Sequence, residues 1–294
     1  MTNIREIGLV GYGEVGRIFA AGLRKQVQGL RVSDLKLQDP AQAQPLLDHA
    51  RGIGALPVTL VELCAQAQLI ISAVTASNTL QVAEQAAAHL KPGSFFLDLN
   101  SASPGTKQQA ARAIEAAGGH YVEAGVMTSV PPYGIAVPML LGGAQAATLA
   151  PQLKAWGLDA TVVSDRLGVA SAIKMCRSVM IKGLEALVIE SYATARRYGV
   201  EDHVLPTLAE TFPSIDWHKQ GAYFFSRVVQ HGRRRAEEMR EAARTVQEAG
   251  FEPLMTGPIA DKQQWVADLA AAGVFAGLPK DVRWQDYADR LPKD

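Results

Sequence analysis

The chain has few cysteines, few aromatic residues and no excess of charge of either sign. Its two cysteines, Cys64 and Cys176, lie far apart within apolar segments, which predicts buried free thiols rather than a disulfide. Lysine and arginine together number 29, as do aspartate and glutamate, so the net charge is zero. The sequence therefore indicates neither a nucleic acid nor a membrane as a partner.

The sequence also lacks a hydrophobic run long enough to span a membrane, because Lys, Arg or Glu interrupts each apolar segment first. No signal peptide fits ahead of Ile4, where the first strand pattern begins. No residues at metal-ligand spacing accompany His218 or His231, so no metal site is expected. These absences predict a cytoplasmic protein, and 294 residues, 48% of them hydrophobic, leave room for an ample core.

A glycine-rich stretch near the N-terminus is the strongest motif. Gly11, Gly13 and Gly16 have the spacing of a dinucleotide-binding fingerprint, between an apolar strand pattern at residues 7–10 and a helical pattern at residues 18–23. Gly11 would permit a tight turn, Gly13 the approach of a pyrophosphate, and Gly16 close packing of helix on strand. A tight turn without a ligand is the alternative, which the flanking strand and helix disfavour.

An acidic residue at the end of the second strand indicates which dinucleotide binds. That strand is predicted at residues 35–39, so Asp39 would accept hydrogen bonds from the adenosine ribose and repel a 2′-phosphate. Asp34 has the same sign and replaces it if the strand register differs, whereas a surface turn acid before Pro40 is the alternative without a ligand. The predicted cofactor is NAD, and NADP is less favoured. The residues predicted to bind it are Gly11, Tyr12, Gly13, Glu14, Val15, Gly16, Asp39, Val74 and Thr75.

Strand and helix patterns alternate as far as about residue 165. Further strands are predicted at residues 69–74, 95–99, 120–126, 139–143 and 161–163, and helices at 60–67, 79–90 and 106–117. This alternation is typical of one parallel sheet covered by helices. It predicts a dinucleotide-binding, Rossmann-type α/β domain over residues 1–165.

The pattern changes at Gly168. Residues 169–197 predict one long helix that is apolar on most faces and therefore buried. Helical patterns continue to about residue 272, with breaks expected at Gly221 and near several prolines, and the polar tail from Pro279 is expected to be loosely held. The prediction is an all-α domain over residues 166–294, joined by a long interdomain helix, for substrate binding and dimerisation.

One polar stripe interrupts the long helix. Lys174, Ser178, Lys182 and Glu185 follow one another at spacings of four, four and three residues, so they share one face, with Arg177 beside them. A lysine on a buried helix needs an explanation, because an unpaired buried ammonium is costly. Such a lysine either snorkels to the surface or is salt-bridged, for example to Glu185, or it is a proton-transferring group that faces a cleft.

Three stretches together resemble the β-hydroxyacid dehydrogenase superfamily, which includes 6-phosphogluconate and 3-hydroxyisobutyrate dehydrogenases. They are the glycine-rich residues 8–16, the segment Asp98-Leu99-Asn100-Ser101-Ala102-Ser103-Pro104, and Gly168 followed by Lys174 at the opening of the long helix. In that superfamily the second stretch is a strand end where a serine and neighbouring backbone hold the substrate, and the third carries the catalytic lysine. The resemblance covers the N-terminal domain and the long helix.

The chain departs from the superfamily pattern at two places. The substrate loop that usually follows Asp-Ala-Pro-Val is here Glu123-Ala124-Gly125-Val126-Met127-Thr128-Ser129, and the asparagine usually four residues after the lysine is Ser178. The C-terminal half is similar to a less characterised branch that is 6-phosphogluconate dehydrogenase-like. These differences bear on the substrate more than on the chemistry.

The resemblance implies reversible hydride transfer between NAD and a small 3-hydroxy acid in a homodimeric enzyme. Lys174 would accept the hydroxyl proton as general acid/base, and Ser178 would hydrogen-bond near the reacting oxygen. The residues expected to bind the substrate, a small carboxylate, are Asn100, Ser101, Thr128, Ser129 and Lys182.

Two alternatives share the architecture. An imine reductase is one, although such enzymes usually lack the helix lysine. A non-catalytic dinucleotide sensor is the other, although a mere binder has no need of a costly buried lysine.

Overall fold

The computed structural model describes residues 4–279 and 281–292. The chain forms two compact units, which divide between Met175 and Cys176. The first unit contains a mostly parallel eight-stranded sheet, and the second is all-helical. The predicted fold class, an α/β domain followed by a long helix and an all-α region, is confirmed.

The sheet of the first unit has the strand order β3-β2-β1-β4-β5-β6-β7-β8. Its strands are β1 (Glu6–Val10), β2 (Gly29–Ser33), β3 (Leu56–Pro57), β4 (Leu69–Ser72), β5 (Phe95–Asp98), β6 (His120–Val126), β7 (Met139–Gly142) and β8 (Ala160–Ser164). The helices between them are α1 (Glu14–Leu23), α2 (Pro40–Ile53), α3 (Leu60–Gln66), α4 (Thr79–Ala87), α5 (Pro104–Ala116) and α6 (Ala146–Ala155). The order reverses between β1 and β4, the place where such sheets bind ligands.

The pairing of the strands brings several carboxyl ends to one edge of the sheet. Val10, Ser72, Asp98 and Glu123 are aligned across β1, β4, β5 and β6, all of which pair in parallel. β7 then runs antiparallel to β6, so the sheet is mostly rather than wholly parallel as the sequence predicted. The loops after β1, β4, β5 and β6 therefore lie side by side.

The strands at the centre of the sheet are buried on both faces, because helices cover each face. Ile71 and Leu97 belong to one hydrophobic cluster, and their chain neighbours Ile70 and Phe96 belong to another. Such strands are apolar throughout rather than alternating, and for this reason the sequence located β4, β5 and β6 closely.

The second strand lies earlier in the chain than residues 35–39, where the sequence analysis placed it. Leu30 and Val32 of β2 are buried, whereas Leu35 is 80% exposed. The leucine–lysine alternation after Asp34 imitates a half-buried strand, but Asp34 caps a short 3-10 helix there. The helix α2 and the very short β3, which follow, were not predicted.

The second unit consists of helices. They are α7 (Val169–Tyr198), which begins in the first unit, α8 (Glu201–Thr211), α9 (Trp217–Glu248), α10 (Thr256–Ala271) and α11 (Trp284–Ala288). The long helix is confirmed, but α9 runs through Gly221, where a break was predicted. A Cβ at Gly221 would lie 2.5 Å from the ring of Tyr192, so glycine here permits close helix packing.

The C-terminal tail was predicted to be loosely held, but its described part packs into the second unit. Trp284 is 1% exposed and meets the ring of Tyr192 edge-on, with centroids 4.9 Å apart. Tyr287 stacks on Phe225. The prediction failed because the tail is polar on average, although its aromatic residues are buried. Residues 280, 293 and 294 of this tail lie outside the described residues.

The helix α7 is not buried on all sides within the chain. Ile173, Met180 and Leu187 recur at seven-residue intervals and are 40%, 73% and 53% exposed. Cys176 of the same helix is exposed as well, whereas Cys64 is buried, and both thiols are free. The prediction of a buried thiol thus holds for Cys64 and is wrong for Cys176.

Candidate functional site

The three glycines after β1 meet three different geometric needs. Gly11 has a φ of +87°, and a Cβ there would lie 2.4 Å from the carbonyl oxygen of Ala73. A Cβ at Gly16 would lie 2.0 Å from the carbonyl oxygen of Gly11, so α1 packs on this loop only with glycine. At Gly13, by contrast, no atom of the described residues lies within 4 Å of where a Cβ would stand. The loop is therefore closely packed at Gly11 and Gly16 and open at Gly13.

This opening fits the pyrophosphate of a dinucleotide. Gly13 is the N-cap of α1, and no side chain of the described part of the chain caps this helix. Backbone N–H groups at a helix start, with the positive end of the helix dipole, attract phosphate. Val74 and Thr75, two other predicted cofactor contacts, follow β4 at the same sheet edge.

Two acidic residues follow β2, and the structure brings Asp34 to the glycine loop. Asp34 comes directly after the strand, is half-buried, and accepts the backbone N–H of Tyr12 at 2.6 Å. Asp39 caps α2, accepting the N–H of Ala41 at 3.0 Å. The acid that binds the adenosine ribose in this fold follows the second strand, so the geometry favours the sequence alternative Asp34 over the first choice, Asp39.

The buried side chain of Tyr12 anchors the glycine loop. Its side chain is fully buried, and its hydroxyl lies 2.7 Å from Nδ1 of His49. Burial raises the pKa of Tyr12 to about 12, so the phenol keeps its proton and donates it. Burial, with the nearby Arg17, lowers the pKa of His49, which favours the neutral imidazole as acceptor.

Asn100 joins the ends of two strands. Its Oδ1 accepts the N–H of Val74 at 2.7 Å, and its Nδ2 donates to Oγ of Ser72 at 3.0 Å. The residue is 4% exposed, so its amide, predicted to bind substrate, is committed to the loop after β4. Ser101, the next residue, is half-buried and lies at the same edge.

A buried polar cluster behind this edge was missed by the sequence analysis. Asp98 pairs with Lys107 of α5, with Nζ and Oδ1 2.9 Å apart, and accepts the hydroxyl of Tyr121 at 2.5 Å and the N–H of Asn100 at 2.8 Å. Asp98 and Lys107 are 0% and 1% exposed. Burial and the charge of Asp98 raise the pKa of Tyr121, so its phenol stays protonated.

A sequence signal for this cluster existed. Lys107 lies at helical spacing with the buried Ala110, Ala111 and Ile114 of α5, where an isolated lysine requires a buried partner.

Glu123 of β6 meets the start of α7. Its Oε1 accepts the N–H groups of Gly168 and Ala170 at 2.8 and 3.1 Å, and its Oε2 accepts the hydroxyl of Ser171 at 2.7 Å. The residue is fully buried. A carboxylate here satisfies N–H groups that a helix start leaves without intrahelical partners, and it is favoured by the helix dipole.

Lys174 follows this anchored turn and is half-buried. A Cβ at Gly125 of β6 would lie 3.0 Å from the carbonyl oxygen of Ala170 and 3.5 Å from Cβ of Lys174. The missing side chain at Gly125 therefore lets α7 lie close to β6. Thr128 and Ser129, predicted to bind substrate, come just after the end of the same strand.

The rest of the polar stripe lies in the second unit. Lys182 forms an ion pair with Glu238 of α9, and its Nζ lies 3.5 Å from Oγ of Ser178. Glu185 forms a bidentate pair with Arg235 of α9 rather than with a lysine of the stripe. Lys182 and Glu185 are 6% and 1% exposed, so buried charge here is paired.

No group of three His, Cys, Asp or Glu within residues 4–279 and 281–292 is placed to hold a metal ion. None of the helices in that part of the chain is long and apolar enough to cross a membrane.

Two family models match the chain. Residues 6–163 match the NAD binding domain of 6-phosphogluconate dehydrogenase. Residues 195–266 match a domain of unknown function, DUF1932.

Several solved structures are similar over nearly the whole chain. A conserved hypothetical protein from Sinorhizobium meliloti 1021 is 37% identical, covering 99% of this chain and 98% of that chain, with a TM-score of 0.76. The conserved protein MTH1747, whose structure is reported as similar to 3-hydroxyacid dehydrogenases, is 30% identical over 91% of this chain and 98% of that chain, with a TM-score of 0.69.

A third structure shows the fold alone. It is 3-hydroxyisobutyrate dehydrogenase of Mycobacterium tuberculosis with L-serine, which is 16% identical over 97% of this chain and 98% of that chain, with a TM-score of 0.67.

Proposed function

Since the chain belongs to the family of the NAD binding domain of 6-phosphogluconate dehydrogenase, we propose that it is an NAD-dependent dehydrogenase of a small 3-hydroxy acid. The family supplies an NAD(P)-binding fold. The observation that carries the proposal is the place of Lys174. It is half-buried in the second turn of α7, whose first turn is bound by Glu123, and it packs against Gly125 of β6. A lysine beside the ligand-binding edge of such a sheet is suited to proton transfer.

Asp34 supports NAD rather than NADP as the cofactor. Its carboxylate stands directly after β2 and beside the glycine loop. A carboxylate at this place accepts hydrogen bonds from a ribose 2′-hydroxyl and repels a 2′-phosphate. Asp39, which caps α2, would then act on the cofactor only through the position of that helix.

In the proposed reaction the chain moves a proton while the substrate carbon loses a hydride. Bound NAD⁺ supplies the hydride acceptor. The neutral amine of Lys174 accepts the hydroxyl proton at Nζ as the carbonyl forms, and the ammonium returns it in the reverse direction. Ser178, one turn further along α7, donates a hydrogen bond near the same oxygen.

The substrate carboxylate is proposed to bind at the ends of β5 and β6. Ser101, Thr128 and Ser129 offer hydroxyl and backbone N–H groups there, and Asn100 fixes the loop through Val74 and Ser72. Lys182, which the sequence predicts to bind the substrate, forms an ion pair with Glu238, so that carboxylate already balances its positive charge. L-serine, present in the related dehydrogenase structure, is an acid of this 3-hydroxy class.

The proposal is tested by measuring reduced nicotinamide formed from a panel of 3-hydroxy acids with NAD⁺ or NADP⁺. At least one acid is expected to react, and Lys174→Met should lower kcat by about 10²–10⁴-fold while NADH affinity stays the same. Lys154→Met, at an exposed lysine of α6, is the matched control. Full activity of Lys174→Met, or loss of NADH binding in it, would remove the lysine from the mechanism.

The same assay separates the alternatives. Reduction of cyclic imines, with every hydroxy acid unreactive, would indicate an imine reductase. NADH binding without turnover of either class would indicate a sensor.

We further propose that the protein is a homodimer. The support is the apolar row of Ile173, Met180 and Leu187, which recurs every seven residues on α7 and is exposed; such rows pack against another helix. Light scattering should return about twice the chain mass of 31.5 kDa, and Met180→Glu with Leu187→Glu should halve it. A wild-type mass near that of one chain would contradict the proposal.

A further inference from the structure

Glu123 has no part in the chemistry proposed above, yet it is fully buried and accepts three hydrogen bonds from the start of α7. We propose that Glu123 is a positioning residue: from β6 it fixes the first turn of α7 and thereby sets the place of Lys174. This inference rests on the proposed role of Lys174.

The hydrogen bonds of Glu123 fix the helix in more than one direction. Oε1 accepts from the backbone at Gly168 and Ala170, and Oε2 accepts the hydroxyl of Ser171. Contacts to three positions around one turn resist both rotation of α7 about its axis and sliding along it. Because these groups are buried, water does not replace the bonds when they are lost.

Glycines on both sides make this arrangement possible. A Cβ at Gly142, which pairs with Glu123 from β7, would lie 2.4 Å from Oε1 of Glu123. Gly168 has a φ of +97°, the left-handed conformation that leads the chain into α7. Gly125, two residues after Glu123 and on the same face of β6, provides the second point at which strand and helix touch.

Lys174 is rigidly connected to this turn. It lies four residues after Ala170 and three after Ser171, so both are on its own side of the helix. An axial or rotational shift of the first turn therefore moves the whole side chain. A misplacement of about 1 Å in a reacting group can lower a rate by about 10²-fold.

The test compares Glu123→Ala with Glu123→Gln. Glutamine keeps a carbonyl oxygen for the two N–H groups and an amide that can donate to Oγ of Ser171, whereas alanine removes all three contacts. We expect kcat to fall by about 10²-fold in Glu123→Ala and to stay within about tenfold of wild type in Glu123→Gln. NADH affinity, measured by fluorescence titration, should stay within about twofold in both, because the glycine loop is unchanged.

Two further variants keep the test decisive. Thr59→Ala removes the N-cap of α3, so it costs stability without moving α7, and its kcat should be that of wild type. Glu123→Asp shortens the side chain by one methylene and should lower kcat by about tenfold even if Glu123→Ala does not fold. Hydrogen exchange at the N–H groups of residues 168–171 should be faster in Glu123→Ala than in Glu123→Gln.

The outcomes separate this inference from the proposed function. Wild-type kcat in Glu123→Ala and Glu123→Asp, with Lys174→Met inactive, would overturn the positioning role alone. Equal losses in the glutamine and alanine variants would overturn it as well, because the conservative change would then rescue nothing. Full activity in Lys174→Met would overturn the proposed function itself.

Discussion

The backbone N–H of Tyr12 donates to a carboxylate oxygen of Asp34 at 2.6 Å, which joins the glycine loop after β1 to the end of β2. The acid proposed to recognise the ribose is therefore also a support of the loop proposed to hold the pyrophosphate. A change at Asp34 must keep an oxygen for this N–H if it is to report on cofactor choice alone.

Asparagine at position 34 meets that condition for Tyr12, and its amide nitrogen takes the place of the oxygen that accepts the N–H of Lys36 at 2.9 Å. Asp34→Asn keeps the acceptor for Tyr12 but removes the charge that repels a 2′-phosphate. The ratio of kcat/KM for NAD⁺ to that for NADP⁺ should fall by at least about fivefold, since like charges close together at a partly exposed site repel by more than ~1 kcal/mol. Asp39→Asn should leave the ratio unchanged. The reverse result would make Asp39 the selecting acid.

Alanine at Gly13 should weaken cofactor binding, whereas alanine at Gly16 should lower stability. Gly13→Ala places its methyl group in the open space above α1, so it should raise the Kd for NADH about tenfold or more and cost at most about 1 kcal/mol of stability as an N-cap change. Gly16→Ala forces a methyl group to 2.0 Å from a backbone oxygen and should cost about 1–3 kcal/mol of stability. NADH titration and urea denaturation measure the pair. Equal NADH affinity in Gly13→Ala and wild type would show that no phosphate approaches there.

Acid should weaken the first unit through His49. The pKa of this imidazole is lowered from 6.5 by burial and by Arg17, so the unfolded chain takes up the proton first. The stability is therefore fully present above pH 6.5 and is lost as the pH falls from there through the lowered pKa. The urea midpoint should show this loss in wild type and less of it in His49→Gln. His89→Gln, at an exposed histidine of the loop after α4, serves as the control and should follow wild type.

The buried pair of Glu185 and Arg235 should stabilise the second unit less than its geometry suggests. Burial raises the pKa of Glu185 although Arg235 opposes the shift, so desolvation is the larger effect. Removing one partner strands the other charge, and Arg235→Met should cost about 3–5 kcal/mol of stability. The double change Glu185→Leu with Arg235→Met should cost less than that single change. Strictly additive losses in urea denaturation would contradict this expectation.

Local signals in the sequence located most of the first unit. β6 at residues 120–126 was predicted with the bounds that the structure has, and α7 within one residue at its end, because a buried strand and a long helix are uninterrupted apolar patterns. β2 was misplaced because leucine and lysine alternate in a 3-10 helix just after it. The apolar character of α7 suggested burial against a second subunit, but which of its residues form the exposed row could not be predicted, because the same apolar residues suit burial within one chain or between two.

In the candidate site, too, local features could be predicted from the sequence, whereas contacts between distant residues could not. The glycine motif is local, and its spacing between a strand pattern and a helical pattern located it. Glu123 meets Gly168 and Ala170 across 45 and 47 residues of chain, and such a separation leaves no periodic trace. In the sequence Glu123 departs from the superfamily pattern, but its anchoring role depends on how β6 lies beside α7.

The residues that hold the sheet edge together are different from the loop residues that are proposed to bind the substrate. Asp98, Asn100 and Lys107 tie β4, β5 and α5 to one another below the surface, while Ser101 and Thr128 stand on the loops above. A directed-evolution library that varies only these loop positions would keep its mechanical support. Changes at these loop positions are therefore expected to alter which small acid, the proposed substrate, is bound, at little cost in stability.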